Sequence, residues 1–243
     1  MEAAILCAKR GHCVTLYEKT DRLGGVFIAA AAPSFKEKDR DLIAWYIREL
    51  SKYPIKVEMN CEITDVKTLD ADEIIVATGA KAKSIPVKGA ETAVEAVDYL
   101  LGNKIVGDRV VVIGGGLTGC EIAYDLYLQG KKPTIVEMQK DLIVAKGVCL
   151  ANSSYLRDFF AANEVPVYLE SSVGEIGEGD ATLTNLRTGE QTLVPADSVI
   201  FSVGYTPAPI AKKQKHVHVI GDAKSVGNLR TVIWGAWDVC TKL

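Results

Sequence analysis

The chain has 243 residues, 48% of them hydrophobic and 24% charged, the balance of an ordinary soluble globular chain and not of a disordered, collagenous or coiled-coil one. Lys and Arg number 28 against 31 Asp and Glu, a formal net charge of −3, which excludes the basic excess of a nucleic-acid-binding surface. No apolar run approaches the ~18 residues of a membrane-spanning helix, and Met1 opens no signal-peptide pattern.

In chain order, residues 2–10 carry Ala3, Ala4, Leu6 and Cys7 at helical spacing and stop at Gly11, a helix end. Residues 14–17 are an expected short buried strand that ends in Glu18. A turn at Gly24 and Gly25 leads into an Ala run closed by Pro33. Residues 41–52 place Leu42, Ile43, Tyr46, Ile47 and Leu50 on one helical face, and Pro54 ends that helix. Strands are expected at 55–58 and 73–77, the second running into Thr78-Gly79-Ala80, with Pro86 and Gly89 marking a crossing between domains. The pattern then restarts. Residues 109–113 form an apolar strand, 120–128 a helix stopped by Gly130, and 133–136 a strand ending in Glu137. A helix at 155–163, a strand at 165–169 and a hairpin around Thr188-Gly189 follow. Residues 198–203 are a buried strand leading into Gly204-Tyr-Thr-Pro207, 216–220 a last strand before Gly221-Asp222, and a closing helix starts near Thr231. Alternating strands and helices imply an α/β fold with parallel sheets.

Gly114-x-Gly116-x-x-Gly119 follows a strand, opens a helix, and has Glu137 at the end of the next strand. With all three contexts in place, this is the signature of a dinucleotide-binding turn. The first glycine allows the tight turn, the second lets backbone approach a pyrophosphate, and the third lets helix and strand pack closely. The helix start, with Leu117 and Thr118, offers N–H groups to the phosphates. Glu137 would accept from the adenosine ribose hydroxyls and repel a 2′-phosphate, favouring NADH over NADPH; Lys140 nearby softens that preference. A bare Gly-rich βα turn with a surface acid is the weaker reading.

Sliding the chain by 119 residues lays Glu2 on Glu121, Ala4 on Ala123, Gly11 on Gly130, Thr15 on Thr134 and Glu18 on Glu137. Both copies are helix, glycine, strand, terminal glutamate. The same offset puts the first copy's three glycines just before Met1, so its glycine loop and first strand are expected to be absent.

Two such units, with Thr78-Gly79-Ala80 after a strand, Ser202-Val-Gly204-Tyr205 and Gly221-Asp222, resemble the two-dinucleotide-binding-domain flavoproteins. Residues 17–25 (Tyr-Glu-Lys-Thr-Asp-Arg-Leu-Gly-Gly) and 227–234 (Gly-Asn-Leu-Arg-Thr-Val-Ile-Trp) look most like the C-terminal part of NADH:flavin oxidoreductases of the 2-enoate and 2,4-dienoyl-CoA reductase type. The resemblance implies two Rossmann-like domains, one nested in the other: an FAD domain at 1–89 and 208–243, lacking its initial strand and glycine loop, and an NAD(H) domain at 90–207. It implies that Glu18 binds the FAD ribose, that Arg22, Gly24 and Gly25 form the turn after that acid, and that Asp222 serves the ribityl or pyrophosphate region. Thr78, Gly79, Gly204, Gly221 and Thr231 complete the implied cofactor-binding set, with the Thr231 helix start facing the flavin pyrimidine edge. Hydride would pass from NADH to FAD, and electrons onward to an FMN barrel with a four-iron cluster that reduces an activated C=C bond. That barrel would be the N-terminal partner domain; neither it nor its cofactors is expected within these residues. FAD binding by this chain alone is expected to be weak or absent.

No catalytic acid–base residue and no metal ligand is assigned. Cys7, Cys13, Cys61, Cys120, Cys149 and Cys240 include no C-x-x-C pair and fit reduced thiols of a cytoplasmic protein. Cys120 at a helix start could have a lowered pKa, but packing is its simpler role. His216 and His218 alternate on a strand, where surface or packing roles are expected, and Trp234 and Trp237 are expected in core or interface packing. The acidic stretch 170–180 is expected to be a solvated turn. Two other classes stay open: a self-contained diaphorase or disulfide reductase, and a non-catalytic dinucleotide-binding fragment. Homo-oligomerisation is left open as well.

Overall fold

The computed structural model describes residues 1–145 and 147–243. Contacts divide it into two compact units, one of Met1–Ala31, Lys36–Lys81 and Tyr205–Leu243, the other of Ala32–Phe35 and Ala82–Gly204. The sequence suggests passages at 89/90 and 207/208; the contact units part at 81/82 and 204/205. The short Ala32–Phe35 excursion has a polar and an aromatic cause. Ser34 donates its N–H and its hydroxyl to Asp125 Oδ1 at 3.0 and 2.7 Å, and the Phe35 ring stands edge-on to Tyr124.

The 82–204 unit is built on a five-stranded parallel sheet, in the order Val94–Glu95, Ser198–Phe201, Arg109–Ile113, Lys132–Val136, Val167–Tyr168. Arg109–Ile113 lies in the middle because its Val-Val-Val-Ile run can be buried on both faces. Val110 and Val112 point into a core with Ile122, Leu126, Ile135, Leu156 and Phe160 from the Leu117–Leu128 and Leu150–Ala162 helices. Val111 and Ile113 point the other way, into Val173, Leu183 and Val194 of a three-stranded antiparallel sheet.

Three departures from expectation lie here. The helix expected from 155 starts at Leu150, because its first turn is small and polar and carries no apolar periodicity. The stretch 170–180 is not simply a turn. It contains the Ser171–Ile176 strand, with Ser171, Val173 and Ile176 buried, while its acid Glu175 faces out to Lys88. The helix expected from 120 begins at Leu117, since Gly116 is already its extended N-cap residue.

The other unit has no comparable sheet. Val14–Tyr17 pairs in parallel with Ile55–Glu58, and Ile74–Val76 pairs in parallel with Val217–Val219, as two separate two-stranded ribbons. Val14 and Ile75, one from each ribbon, pack against one cluster with Leu6 and Cys7 of the Glu2–Lys9 helix and Ala236 and Cys240 of the closing helix. Beside it, Ala4 and Ile5 meet Tyr46 and Leu50 of the Glu37–Leu50 helix. The closing helix, Leu229–Cys240, starts at an Asn228–Thr231 capping box. Trp234 and Trp237 are not core residues: they are 67% and 49% exposed, because Ala236 and Cys240 make the buried stripe. Trp237 Nε1 donates instead to Glu2 Oε1 at 2.7 Å.

Candidate functional site

The glycine loop of the 82–204 unit separates two kinds of glycine. Gly114 has φ +110, and a Cβ there would stand 2.2 Å from Ser202 O; a Cβ on Gly119 would stand 1.9 Å from Gly114 O. These two are glycine because the protein's own backbone fills the space. A Cβ on Gly116 would meet nothing within 4 Å, and its backbone (φ −70, ψ 179) suits any residue. The room beside Gly116 is left open by the protein, at the start of a twelve-residue helix. Gly116 O accepts from Cys120 N at 3.0 Å, so the amides of Leu117, Thr118 and Gly119 precede the first intrahelical donor.

Glu137 is fixed against this loop. Its Oε2 accepts from Gly115 N at 2.6 Å and its Oε1 from Gln139 N at 2.8 Å. Gly114, Gly116, Leu117, Thr118, Gly119 and Glu137 therefore form one site. Gly115 is the member that sequence reasoning passed over; its amide is what ties acid to loop, and the middle glycine of the Gly-Gly-Gly run was the available signal. Beside Glu137 a cavity of about 220 Å³ is lined by Met138, Gln139, Lys140, Glu170, Leu186 and Arg187. The last two come from the hairpin turn, a tertiary neighbour that no local pattern reveals.

Cys120 takes the packing role expected of it. It is fully buried, with Sγ donating to Gly115 O at 3.4 Å, and burial pushes its thiol up to about 12. Desolvation outweighs the helix N-terminus. Burial likewise lifts Cys240, which faces Cys7, to about 12. All six cysteines are free, and the buried three lack the electropositive, accessible setting of a reactive thiolate.

In the first unit, Glu18 repeats one half of the Glu137 arrangement: its Oε1 accepts from Thr20 N, two residues on, at 2.8 Å. Arg22 is exposed, 3.9 Å from Asp21, and Gly24 (φ +129) and Gly25 (φ +55) lead into the short Val26–Ala30 helix. Thr78 donates its hydroxyl to Ala208 O at 2.9 Å, and Gly79 O accepts from Ala208 N at 3.0 Å. Gly221 starts a single helical turn, and Asp222 Oδ1 accepts from Gly227 N at 3.0 Å. Thr231 N donates to Asn228 Oδ1 at 3.1 Å, so this amide is already engaged at the helix start. Among the described residues, no hydrogen bond joins Glu18 or Arg22 to Thr78, Gly221 or Thr231. In the second unit, Gly204 O accepts from Lys83 N at 3.0 Å.

The histidine pair is held by an acid on the neighbouring strand. Glu73 Oε1 accepts from His216 Nδ1 at 2.7 Å and its Oε2 from His218 Nε2 at 2.8 Å, and the two rings hold its carboxyl below the usual range. Among the described residues no group of three or more His, Cys, Asp or Glu is placed to hold a metal ion, and no helix is long and apolar enough to cross a membrane.

Known proteins share this design. The family of pyridine nucleotide-disulphide oxidoreductases matches residues 1–233. A cinnamate reductase of Clostridium sporogenes is 36% identical over 252 aligned residues, covering 100% of this chain and 37% of that protein. An NADH oxidase of Thermoanaerobacter brockii is 32% identical, covering 100% of this chain and 39% of its own length. A 2-naphthoyl-CoA reductase structure superposes with a TM-score of 0.89 at 26% identity, over 100% of this chain and 38% of that one. The chain thus spans less than two-fifths of each of these three proteins. Thioredoxin reductase of T. acidophilum shares the fold, with a TM-score of 0.78 at 18% identity. The residues matched run through both units, glycine loop and terminal glutamates included, and the chain belongs to the pyridine nucleotide-disulphide oxidoreductase family.

Proposed function

We propose that the chain is the FAD/NAD(H)-binding module of a larger, cytoplasmic flavin oxidoreductase, with NADH held by the 82–204 unit and FAD by the other. The observation that carries this reading is Gly116. No protein atom requires a glycine there, while a close-lying pyrophosphate does. When bound, the nicotinamide supplies a hydride and the flavin accepts it.

The chain's own residues bind and orient. Leu117, Thr118 and Gly119 donate backbone N–H groups to the pyrophosphate at the positive end of their helix. Glu137, pinned by Gly115 and Gln139, accepts from the ribose hydroxyls and disfavours a 2′-phosphate. Lys140 and Arg187 line the adjoining cavity and temper that preference, so NADH is favoured without NADPH being excluded. Glu18, Arg22, Gly24, Gly25, Thr78, Gly79, Gly221 and Asp222 are the FAD contacts in this reading. Thr231 supports the closing helix start from within its capping box, leaving the Leu229 and Arg230 amides for the flavin edge. Gly204 lets the chain turn after the strand that backs the glycine loop. In the whole protein, electrons would pass through a four-iron cluster to an FMN barrel reducing an activated C=C bond. The names of the cinnamate and naphthoyl-CoA reductases support that direction.

A stand-alone disulfide reductase is disfavoured by the burial of Cys7, Cys120 and Cys240, which pushes the Cys120 and Cys240 thiols up to about 12. The test is NADH binding by wild type and Gly116→Ala, with thermal stability as control. The expected result is at least a tenfold loss of affinity at unchanged stability; equal affinity would overturn the reading.

A further inference from the structure

Glu170 has φ +49, a left-handed backbone that a glutamate rarely adopts. It stands at a corner of the 82–204 unit. Val167–Tyr168 before it pairs with Lys132–Val136 in the parallel sheet, and Ser171–Ile176 after it belongs to the antiparallel one. Both backbone groups of Glu170 are engaged: its N–H donates to Gln139 O at 3.0 Å, and its C=O accepts from Leu186 N at 2.7 Å. Ser171 Oγ closes the corner on Leu169 O at 2.8 Å. Gln139 N donates in turn to Glu137 Oε1, and Glu137 Oε2 accepts from Gly115 N. One line of hydrogen bonds therefore runs from the glycine loop through Glu137, Gln139 and Glu170 to the turn between Asp180–Asn185 and Gln191–Pro195.

That turn is itself fixed. Asn185 Oδ1 accepts from Arg187 N and from Thr188 N, both at 3.0 Å, and Thr188 Oγ1 accepts from Glu190 N at 3.2 Å. Gly189 N donates to Asn185 O at 2.9 Å. An Asn that accepts from the amides two and three residues on sets the turn without help from packing. The side chains it carries are open to solvent. Leu186 is 50% exposed and, across the chain of hydrogen bonds, Met138 is 60% exposed. Both line the cavity beside Glu137, together with Gln139, Lys140, Glu170 and Arg187. Apolar side chains among polar ones suit a flat ring with polar edges, and a planar guanidinium stacks on such a ring.

We propose that Glu170 is a positioning residue of the dinucleotide site: acting through its backbone, it docks the Asn185–Thr188 turn beside Glu137 so that the Arg187 guanidinium stacks on the adenine ring of NADH. The antiparallel sheet is then a wall of the site as well as the cover of Val111 and Ile113. Its contribution lies outside the strand–glycine–helix–acid pattern, because Glu170 and Arg187 reach the site only through the corner and the turn. The adenine contact rests on the functional reading above, with NADH at Gly114–Gly119; the docked turn does not.

The test is calorimetric titration of the full chain with NADH and with ADP-ribose, with thermal unfolding of each variant alongside. Arg187→Ala should weaken both ligands roughly tenfold at unchanged unfolding, because the side chain is exposed. Arg187→Lys should do the same, since an ammonium keeps the charge and loses the plane. Glu170→Gly keeps the left-handed backbone and should hold both affinities within about twofold of wild type. Glu170→Val opposes that backbone and should weaken both roughly fivefold or more. Wild-type affinity in Arg187→Ala, full rescue by Arg187→Lys, or equal losses in the Gly and Val variants would overturn the proposal and leave the Gly116 assignment standing. Undiminished binding by Gly116→Ala, or no NADH binding by wild type, removes the functional reading and the adenine contact with it.

Discussion

Thr15 and Thr134 are the same residue at the same place in a repeated motif, yet one is exposed and the other buried. The difference teaches where burial in a doubly wound sheet comes from. Neither strand has an unusual sequence; Val-Thr-Leu-Tyr and Pro-Thr-Ile-Val are both short and apolar. What differs is the neighbour. In the second unit Arg109–Ile113 covers an edge of Lys132–Val136 and links it to Ser198–Phe201, and the joined sheet is shielded on both faces. In the first unit two ribbons share one cluster and no sheet. A parallel strand is stabilised by its neighbours on both edges and faces, and two-stranded pairs alone are marginal.

The contrast is broken or upheld most strongly by hydrogen exchange. Amides of 111–113, 135 and 199–201 should open only with the whole second unit, whereas Thr15, Tyr17 and Ile75 should exchange on the order of a thousandfold faster or more. Comparable protection in both units would refute the distinction. Next in size is a pair of glycine substitutions. Gly119→Ala drives a Cβ into Gly114 O and should cost about 1–3 kcal/mol, the range for forced overpacking, measured by denaturant unfolding. Gly116→Ala meets no atom and should leave unfolding unchanged while weakening NADH.

A smaller effect sharpens the comparison between the two glutamates. Glu137→Gln keeps the shape but loses the charged acceptor, and NADH affinity should fall roughly tenfold, as expected for a lost charge-assisted bond of about 1.4 kcal/mol, with a relative gain for NADPH. Glu18→Gln, its counterpart, should leave NADH affinity unchanged. Calorimetric titration of both variants checks this.

The smallest is a pH effect confined to the second unit. Arg109, bonded to Asp197 through its side chain and its backbone N–H, holds that carboxyl at about 2. The unfolded chain takes up this proton first, near pH 4. The stabilisation is therefore complete above about 4 and is lost as pH falls toward 2. Asp197→Asn should flatten that part of the acid unfolding curve and change little at neutral pH, because the pair is exposed.

Much of the candidate site's geometry was legible because its residues lie close in sequence and obey backbone rules: a strand, three glycines, a helix start and an acid at the next strand end. The repeat was legible for the same reason, since Gly11 and Gly130 stop equivalent helices and Glu18 and Glu137 end equivalent strands. Tertiary placements were not. Ser171–Ile176 hides among acids because only one face is buried, and Leu150–Ala162 hides its first turn in small polar residues. Trp234 and Trp237 suggest packing by their size, but helix phase decides exposure, and Ala236 and Cys240 hold the inward positions. Arg187 comes beside Glu137 only through the hairpin.

The central proposal is that NADH is held by the Gly114–Gly119 loop and Glu137 of the 82–204 unit. A titration of the chain with NADH, followed residue by residue through backbone amide signals, tests it most directly. The account predicts saturable changes at Gly114–Gly119 and at residues 137–140, with none at Glu18, Thr20 or Gly25. Saturable changes at Glu18 and Gly25 with a silent Gly114–Gly119 loop would contradict it.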